Sequence, residues 1–256
     1  QWTEASSGVS AAQILNVIST PHNNLFGVSL SGLYRSTDQG KSWSKKSDFA
    51  PRLIIALDDS NGGEIVIGRT GTGVHRSSDN GEAWQTEEVF SGHDDIVGLA
   101  KGPNQEAYYS EDVGSYVYAS VDLGKSWIRG KTTPKMGQLR WLTVDKKGRV
   151  IAVSSITDKV FISSDSGNTW KEVPHTLSAL RKVFASPFTE SFVGISHTSV
   201  YEFREVNGQW EISDLGLVKQ GLTSVVFSSN GEIFVSAIIN NNIPGGVYVR
   251  RSNGSW

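Results

Sequence analysis

The side chains best suited to chemistry are arginines that stand where short apolar runs begin. Arg140 and Arg181 each precede such a run, and Arg52 precedes another. A guanidinium can clamp a carboxylate with two parallel N–H···O bonds or donate to sugar hydroxyls. Aligning the runs on Leu15, Ile55, Val97, Leu142, Val183 and Val225 puts Gln13, Leu53, Asp95, Arg140, Arg181 and Thr223 in one column, two residues earlier. Arg52 is one position away from it. Neighbouring loops add His93, Asp94, Lys131, Lys135, His175 and Lys219. A second set of loops adds Arg69, Glu111, Asp112, Asp158, His197 and the run Asn240, Asn241 and Asn242. Arg52, Asp95, Arg140, Trp141 and Arg181 are the candidate ligand-binding residues. The competing reading makes them solvated rim charges paired with Asp94, Asp95 or Glu111, and surface pairs of that kind contribute little. Trp141 reads either as a platform on which a sugar stacks or as a core aromatic wedged between strands, and the second is the expectation.

Other chemistry has less to stand on. His22, His75, His93, His175 and His197 show no metal-ligand spacing, and no calcium-loop pattern surrounds Asp94-Asp95 or Glu111-Asp112. The run Gly68-Arg69-Thr70-Gly71-Thr72-Gly73 reads as a hairpin, with no helix behind it to hold a phosphate. No metal, no cofactor and no catalytic residue is therefore assigned. The chain has no cysteine, which excludes disulfides, thiolate catalysis and cysteine-bound zinc. Its 24 basic and 26 acidic residues give a net charge of -2 with no block of like charge. That balance speaks against nucleic acid or a polybasic membrane anchor as partner. No apolar run approaches the roughly 18 residues of a membrane span. The opening Gln1-Trp2 reads as a mature product or a domain of a larger chain.

The elements that must position these residues are written as a repeat. Ser36 to Trp43, Ser77 to Trp84, Ser120 to Trp127 and Ser163 to Trp170 share the pattern S-x-D-x-G-x-[STA]-W. Two weaker copies follow at Val206 to Trp210 and Ser252 to Trp256, and Trp2 stands one period before Trp43. Each period carries four strand-like runs in about 42 residues, the length of a propeller blade. The box has a mechanical rationale. Asp38, Asp79, Asp122 and Asp165 accept backbone N–H groups. Gly40, Gly81, Gly124 and Gly167 supply a positive φ. Trp43, Trp84, Trp127 and Trp170 bury a large ring, and the leading serine adds a local hydrogen bond.

On these motifs the chain resembles, over its whole length, the Asp-box or BNR-repeat β-propellers, which include sialidases, sortilin-type receptors and photosystem II assembly propellers. The resemblance implies an all-β, six-bladed β-propeller of four-stranded antiparallel blades. The boxes would lie between third and fourth strands, away from the usual ligand face. Residues 1–256 read as one propeller domain, with the ring closed by an N-terminal outer strand at residues 2–5. Sialidases in that family use an arginine triad, a tyrosine nucleophile with a glutamate partner and an aspartate acid/base. Their first arginine sits in an F/Y-R-I-P motif before the first box. Phe49-Ala50-Pro51-Arg52-Leu53 does not match and follows the first box, so those roles are not carried over. The expectation is a monomeric, non-catalytic module that binds a glycan or protein, extracellular or periplasmic. A sialidase-like hydrolase and an assembly scaffold are the alternatives.

Overall fold

The computed structural model describes residues 7–9, 14–59, 61, 63–70, 73–89, 96–111, 116–131, 136–238 and 245–256. Its architecture is all-β, six antiparallel sheets in chain order with the fold of a six-bladed β-propeller. Strands β1–β4 are Ile14–Ser19, Leu25–Ser29, Gly32–Ser36 and Ser44–Ser47. Strands β5–β8 are Leu53–Asp58, Glu64–Arg69, Gly73–Ser77 and Gln85–Val89. Strands β9–β12 are Ile96–Lys101, Ala107–Glu111, Val117–Ser120 and Ile128–Arg129. Strands β13–β16 are Leu139–Val144, Val150–Ser154, Val160–Ser163 and Lys171–Val173. Strands β17–β20 are Lys182–Ala185, Phe192–Ile195, Ser199–Val206 and Gln209–Val218. The sixth sheet holds β21 (Leu222–Phe227), β22 (Ile233–Ala237) and β23 (Gly246–Arg250) among the described residues. The outer strand expected from residues 2–5 lies outside the described residues.

The chain groups into two compact units. One holds the first two sheets and most of the third. The other holds the last three sheets, together with Gly102–Asn104 and Ser110–Val117. Within each unit, strand alternation buries apolar residues between neighbouring sheets. In the first unit Phe26, Val28, Leu33, Ile54 and Val66 join the first two sheets, and Leu57, Ile65, Ile67, Val74, Ala107 and Tyr109 join the second and third. In the second unit the residues that join the fourth and fifth sheets include Ile151, Val153, Val183, Phe192 and Phe203. Val193, Val200, Leu215, Val225 and Val235 help to join the fifth and sixth.

The four full boxes fold alike. In the first, Ser36 Oγ donates to Asp38 Oδ1 at 2.8 Å and accepts Gly40 N–H at 2.8 Å. Asp38 also accepts Ser42 N–H at 2.9 Å and the Ser42 hydroxyl at 2.6 Å. The same bonds recur around Asp122 and Asp165, and Asp79 takes only backbone N–H from Ala83, which has no hydroxyl to give. The hydroxyl and N–H of Ser42, then the Ser36 hydroxyl, hold the Asp38 carboxyl down at about 2. At Asp122 burial pushes upward, but the Ser126 and Ser120 bonds outweigh it and the carboxyl also falls to about 2. The turn needs two successive left-handed residues: Gln39 has φ 61° and Gly40 φ 88°. The pair recurs at Asn80-Gly81, Leu123-Gly124 and Ser166-Gly167.

One box differs at its tryptophan. Trp43, Trp84 and Trp170 each donate their indole N–H to the box glycine carbonyl at 3.0–3.1 Å. The Trp127 indole nitrogen is buried without a partner among the described residues, and its ring meets Tyr109 edge-on at 4.8 Å. A buried donor left unpaired costs about 1–3 kcal/mol, whereas a made bond contributes about 1 kcal/mol. Trp127→Phe is therefore expected to be better tolerated than Trp170→Phe by about 1 kcal/mol in urea unfolding. Equal losses, or the reverse order, would contradict this reading of the third box.

The two weak copies are shorter turns. Asn207 and Gly208, with φ of 51° and 77°, close a tight hairpin between the eight-residue β19 and the ten-residue β20. In the last copy the side-chain oxygen of Asn253 accepts the N–H and hydroxyl of Ser255. Trp256 donates its indole N–H to the Leu215 carbonyl at 2.6 Å.

Candidate functional site

Antiparallel order sends the second-to-third-strand loops of a sheet to the end where its first strand begins. Arg140, Trp141 and Arg181 lie at that end of the fourth and fifth sheets. Arg140 sits at a β-bulge, because Leu139 pairs with Ser154 while Trp141 pairs with Val153. The extra residue re-aims its side chain. Its guanidinium reaches the Ser155 carbonyl, the Leu180 carbonyl at 3.2 Å and Asp158 Oδ1 at 3.1 Å. Asp158 also accepts Ala179 N–H at 2.7 Å. Arg140 thus ties the β14–β15 loop to the segment leading into β17.

Trp141 is a wedge. Its indole N–H donates to the Val183 carbonyl on the neighbouring sheet, and its ring lies 5.2 Å from that of Phe184. The Lys182 ammonium stands 4.8 Å above the indole and donates to the Thr223 carbonyl at 2.9 Å. Burial pushes the Lys182 amine below its usual range, and neighbouring Arg181 adds to that. The indole face is thereby engaged by a cation within the fold, which fits the packing reading of this tryptophan.

Arg181 is exposed, and its guanidinium donates to His197 Nδ1 at 3.3 Å. With Nδ1 accepting, the neutral ring carries its proton on Nε2. His197 and Thr198, from the loop between β18 and β19, are stitched to the next connection. Lys219 N–H donates to the Thr198 carbonyl at 2.9 Å, and Leu222 N–H to that of His197 at 3.4 Å. Lys219 is exposed and its ammonium lies 5.3 Å from the Tyr248 ring centre. Arg181, His197, Lys219 and Tyr248 therefore form a connected basic and aromatic rim on the second unit, beside the locked Arg140–Asp158 pair.

The remaining candidates are placed differently. Arg52 is exposed in the first unit, and its N–H donates to the Arg69 carbonyl at 2.7 Å. Glu111 is buried, with its N–H on the Tyr116 carbonyl. Thr223 bonds to Ser236 on its own sheet at 2.8 Å. His175 packs edge-on to Phe203 at 5.9 Å, and burial holds its imidazole below the usual range. Asp95, with Gln13, His93, Asp94, Asp112, Lys135, Asn240, Asn241 and Asn242, lies outside the described residues. Bulges also correct one register. They fall after Ile14, Leu139 and Leu222, so Leu15, not Gln13, shares the column of Arg140 and Thr223.

Sequence reading missed Tyr248 and Lys182 as parts of this region. The alternation in Gly246-Val-Tyr-Val-Arg250 is the signal that could have marked Tyr248 as facing one side. It also missed a buried network at the opposite strand ends. Asp145 accepts Lys147 and Arg149 N–H at 2.9 Å and pairs with the Arg149 Nε at 2.6 Å. Arg149 continues to Glu205 at 2.7 Å and lies 5.7 Å from the Trp210 ring centre. Among the described residues no group of three His, Cys, Asp or Glu side chains could hold a metal, and no helix is long and apolar enough to cross a membrane.

No protein-family model and no curated protein sequence matches the chain. Solved structures do. Virginiamycin B lyase from Staphylococcus aureus is 15% identical, with 89% of this chain and 78% of that one covered at a TM-score of 0.70. YCF48 bound to D1 peptide is 17% identical, with 75% and 65% covered at 0.53. The GH74 xyloglucanase from Xanthomonas campestris is 17% identical, with 90% and 42% covered at 0.62. The chain thus spans less than two thirds of the last two structures. Binding and enzymatic proteins stand side by side in this set, and at these identities the likeness establishes the propeller fold and nothing finer.

Proposed function

We propose that this propeller is a non-catalytic binding module for a glycan or protein ligand that presents acidic groups. The observation that carries the reading is the exposed Arg181–His197–Lys219 rim with Tyr248 beside it. Arg181 offers a planar fork for a carboxylate, and Lys219 a mobile point charge. Arg140 and Trp141, the residues most suggestive of an active site, have partners in the fold, so they serve as its frame. The peptide bound to the YCF48 propeller supports the protein arm of the proposal by analogy of fold. The Asp-box pattern supports kinship with the BNR-repeat propellers. The proposal extends to one propeller domain of an exported or cell-surface protein, testable by cell fractionation.

An array of acidic and neutral glycans, with acidic peptides on the same surface, tests the reading. Acidic ligands are expected to be retained, and Arg181→Ala and Lys219→Ala are each expected to weaken retention about 10-fold, or about 1.4 kcal/mol. Retention unchanged in both variants would place the ligand elsewhere.

A further inference from the structure

The two degenerate boxes differ from the full ones at a position that lines a cavity. Four residues before the turn glycine, the first four copies carry Ser36, Ser77, Ser120 and Ser163. The last two carry Arg204 and Arg250. Both arginines line one cavity of ≈ 220 Å³ in the second unit, at the strand ends where the boxes lie. Arg251 adds a third guanidinium, and Phe188, Phe227 and Ile233 supply apolar wall. Phe188 is 44% exposed, a large ring left open to whatever enters.

The three arginines are not equivalent. Arg204 donates to both oxygens of Glu202 at 3.0 and 3.1 Å. Arg251 faces Glu232 at 3.7 Å. The Arg250 side chain has no hydrogen-bond or ion-pair partner among the described residues, and its Nε is shut off from solvent. A buried donor on a cation is costly without an acceptor, and nothing in the described fold provides one. Two cations are matched by two carboxylates and the third is left over.

We propose that this cavity binds a small organic oxyanion, a carboxylate or phosphoryl group on an apolar body, with Arg250 as its counter-charge. The guanidinium fork matches two oxygens of either group. Phe188, Phe227 and Ile233 take the apolar body, and the volume suits a single ring. The site is separate from the Arg181 rim, at the other ends of the strands, and does not depend on that reading.

The test is calorimetric titration of benzoate, phenyl phosphate and inorganic phosphate into the full chain. Benzoate and phenyl phosphate are expected to bind saturably at one site, with inorganic phosphate weaker. Arg250→Gln is expected to weaken both aromatic probes at least 10-fold. Arg250→Lys keeps the charge but loses the fork, so it is expected to bind several-fold more weakly, which preserves the comparison if Arg250→Gln does not fold. No saturable binding of either aromatic probe, or unchanged binding in the Arg250 variants, overturns the site. Inorganic phosphate binding as tightly as phenyl phosphate overturns the apolar part of it.

Discussion

Asp145→Ala is expected to destabilise the protein by about 3–5 kcal/mol, the cost of breaking a buried ion pair by removing one partner. The Asp145 side chain is 1% exposed and that of Arg149 is 11% exposed. Deleting the carboxylate leaves Arg149 only the more exposed Glu205 as counter-charge and releases two backbone N–H groups that it caps. Asp145→Asn keeps an oxygen for those groups and loses only the charge, so it should cost less. Glu205 is 38% exposed on the far side of Arg149, and Glu205→Ala should cost about 1 kcal/mol or less, as exposed pairs do. Urea unfolding of the three variants gives the order. A Glu205→Ala loss larger than that of Asp145→Ala would show that the network is anchored at its exposed end.

Phe203→Ala is expected to cost about 3–5 kcal/mol, the usual range for deleting a buried aromatic ring. Phe203 is fully buried, stacked on Phe192 at 4.7 Å with an interplanar angle of 16°, and edge-on to His175. Gly194 is small because of this ring: a Cβ there would stand 2.7 Å from Phe203 Cε2 and 2.9 Å from Leu180 Cδ1. Gly194→Ala should therefore cost about 1–3 kcal/mol by overpacking. Combined with Phe203→Leu it should cost less than the sum of the two single changes, because the smaller side chain makes room. Strict additivity in chemical denaturation would mean that the two positions do not compete for the same space. Leu180 connects this core to the site, since its carbonyl accepts Arg140.

How much of this was legible depends on the range of each interaction. The tryptophan period gives six repeats because each blade is a local unit, and the box bonds span four residues or fewer. Turn chemistry of that range is written in adjacent letters. The bulge at Arg140 is not, because one extra residue leaves the polar and apolar pattern of β13 almost unchanged. Yet it decides where that guanidinium goes. The Arg149–Glu205 contact joins residues 56 apart in sequence, and neither residue type announces it. Trp141 shows the converse. Its position outside the repeat marked it as unusual, but only the Val183 carbonyl and the Lys182 ammonium show that it wedges two sheets together. Arg181 and His197 were named from their loops, and their contact came from folding.

Recognition without turnover at the Arg181–Lys219 rim is tested by incubating the protein with an array-positive acidic ligand and recovering that ligand for mass spectrometry, with Arg181→Ala in parallel. The ligand is expected to come back intact, retained by the parent protein and released by the variant. A cleaved or rearranged product that disappears in the variant would contradict that expectation and make the rim an active site.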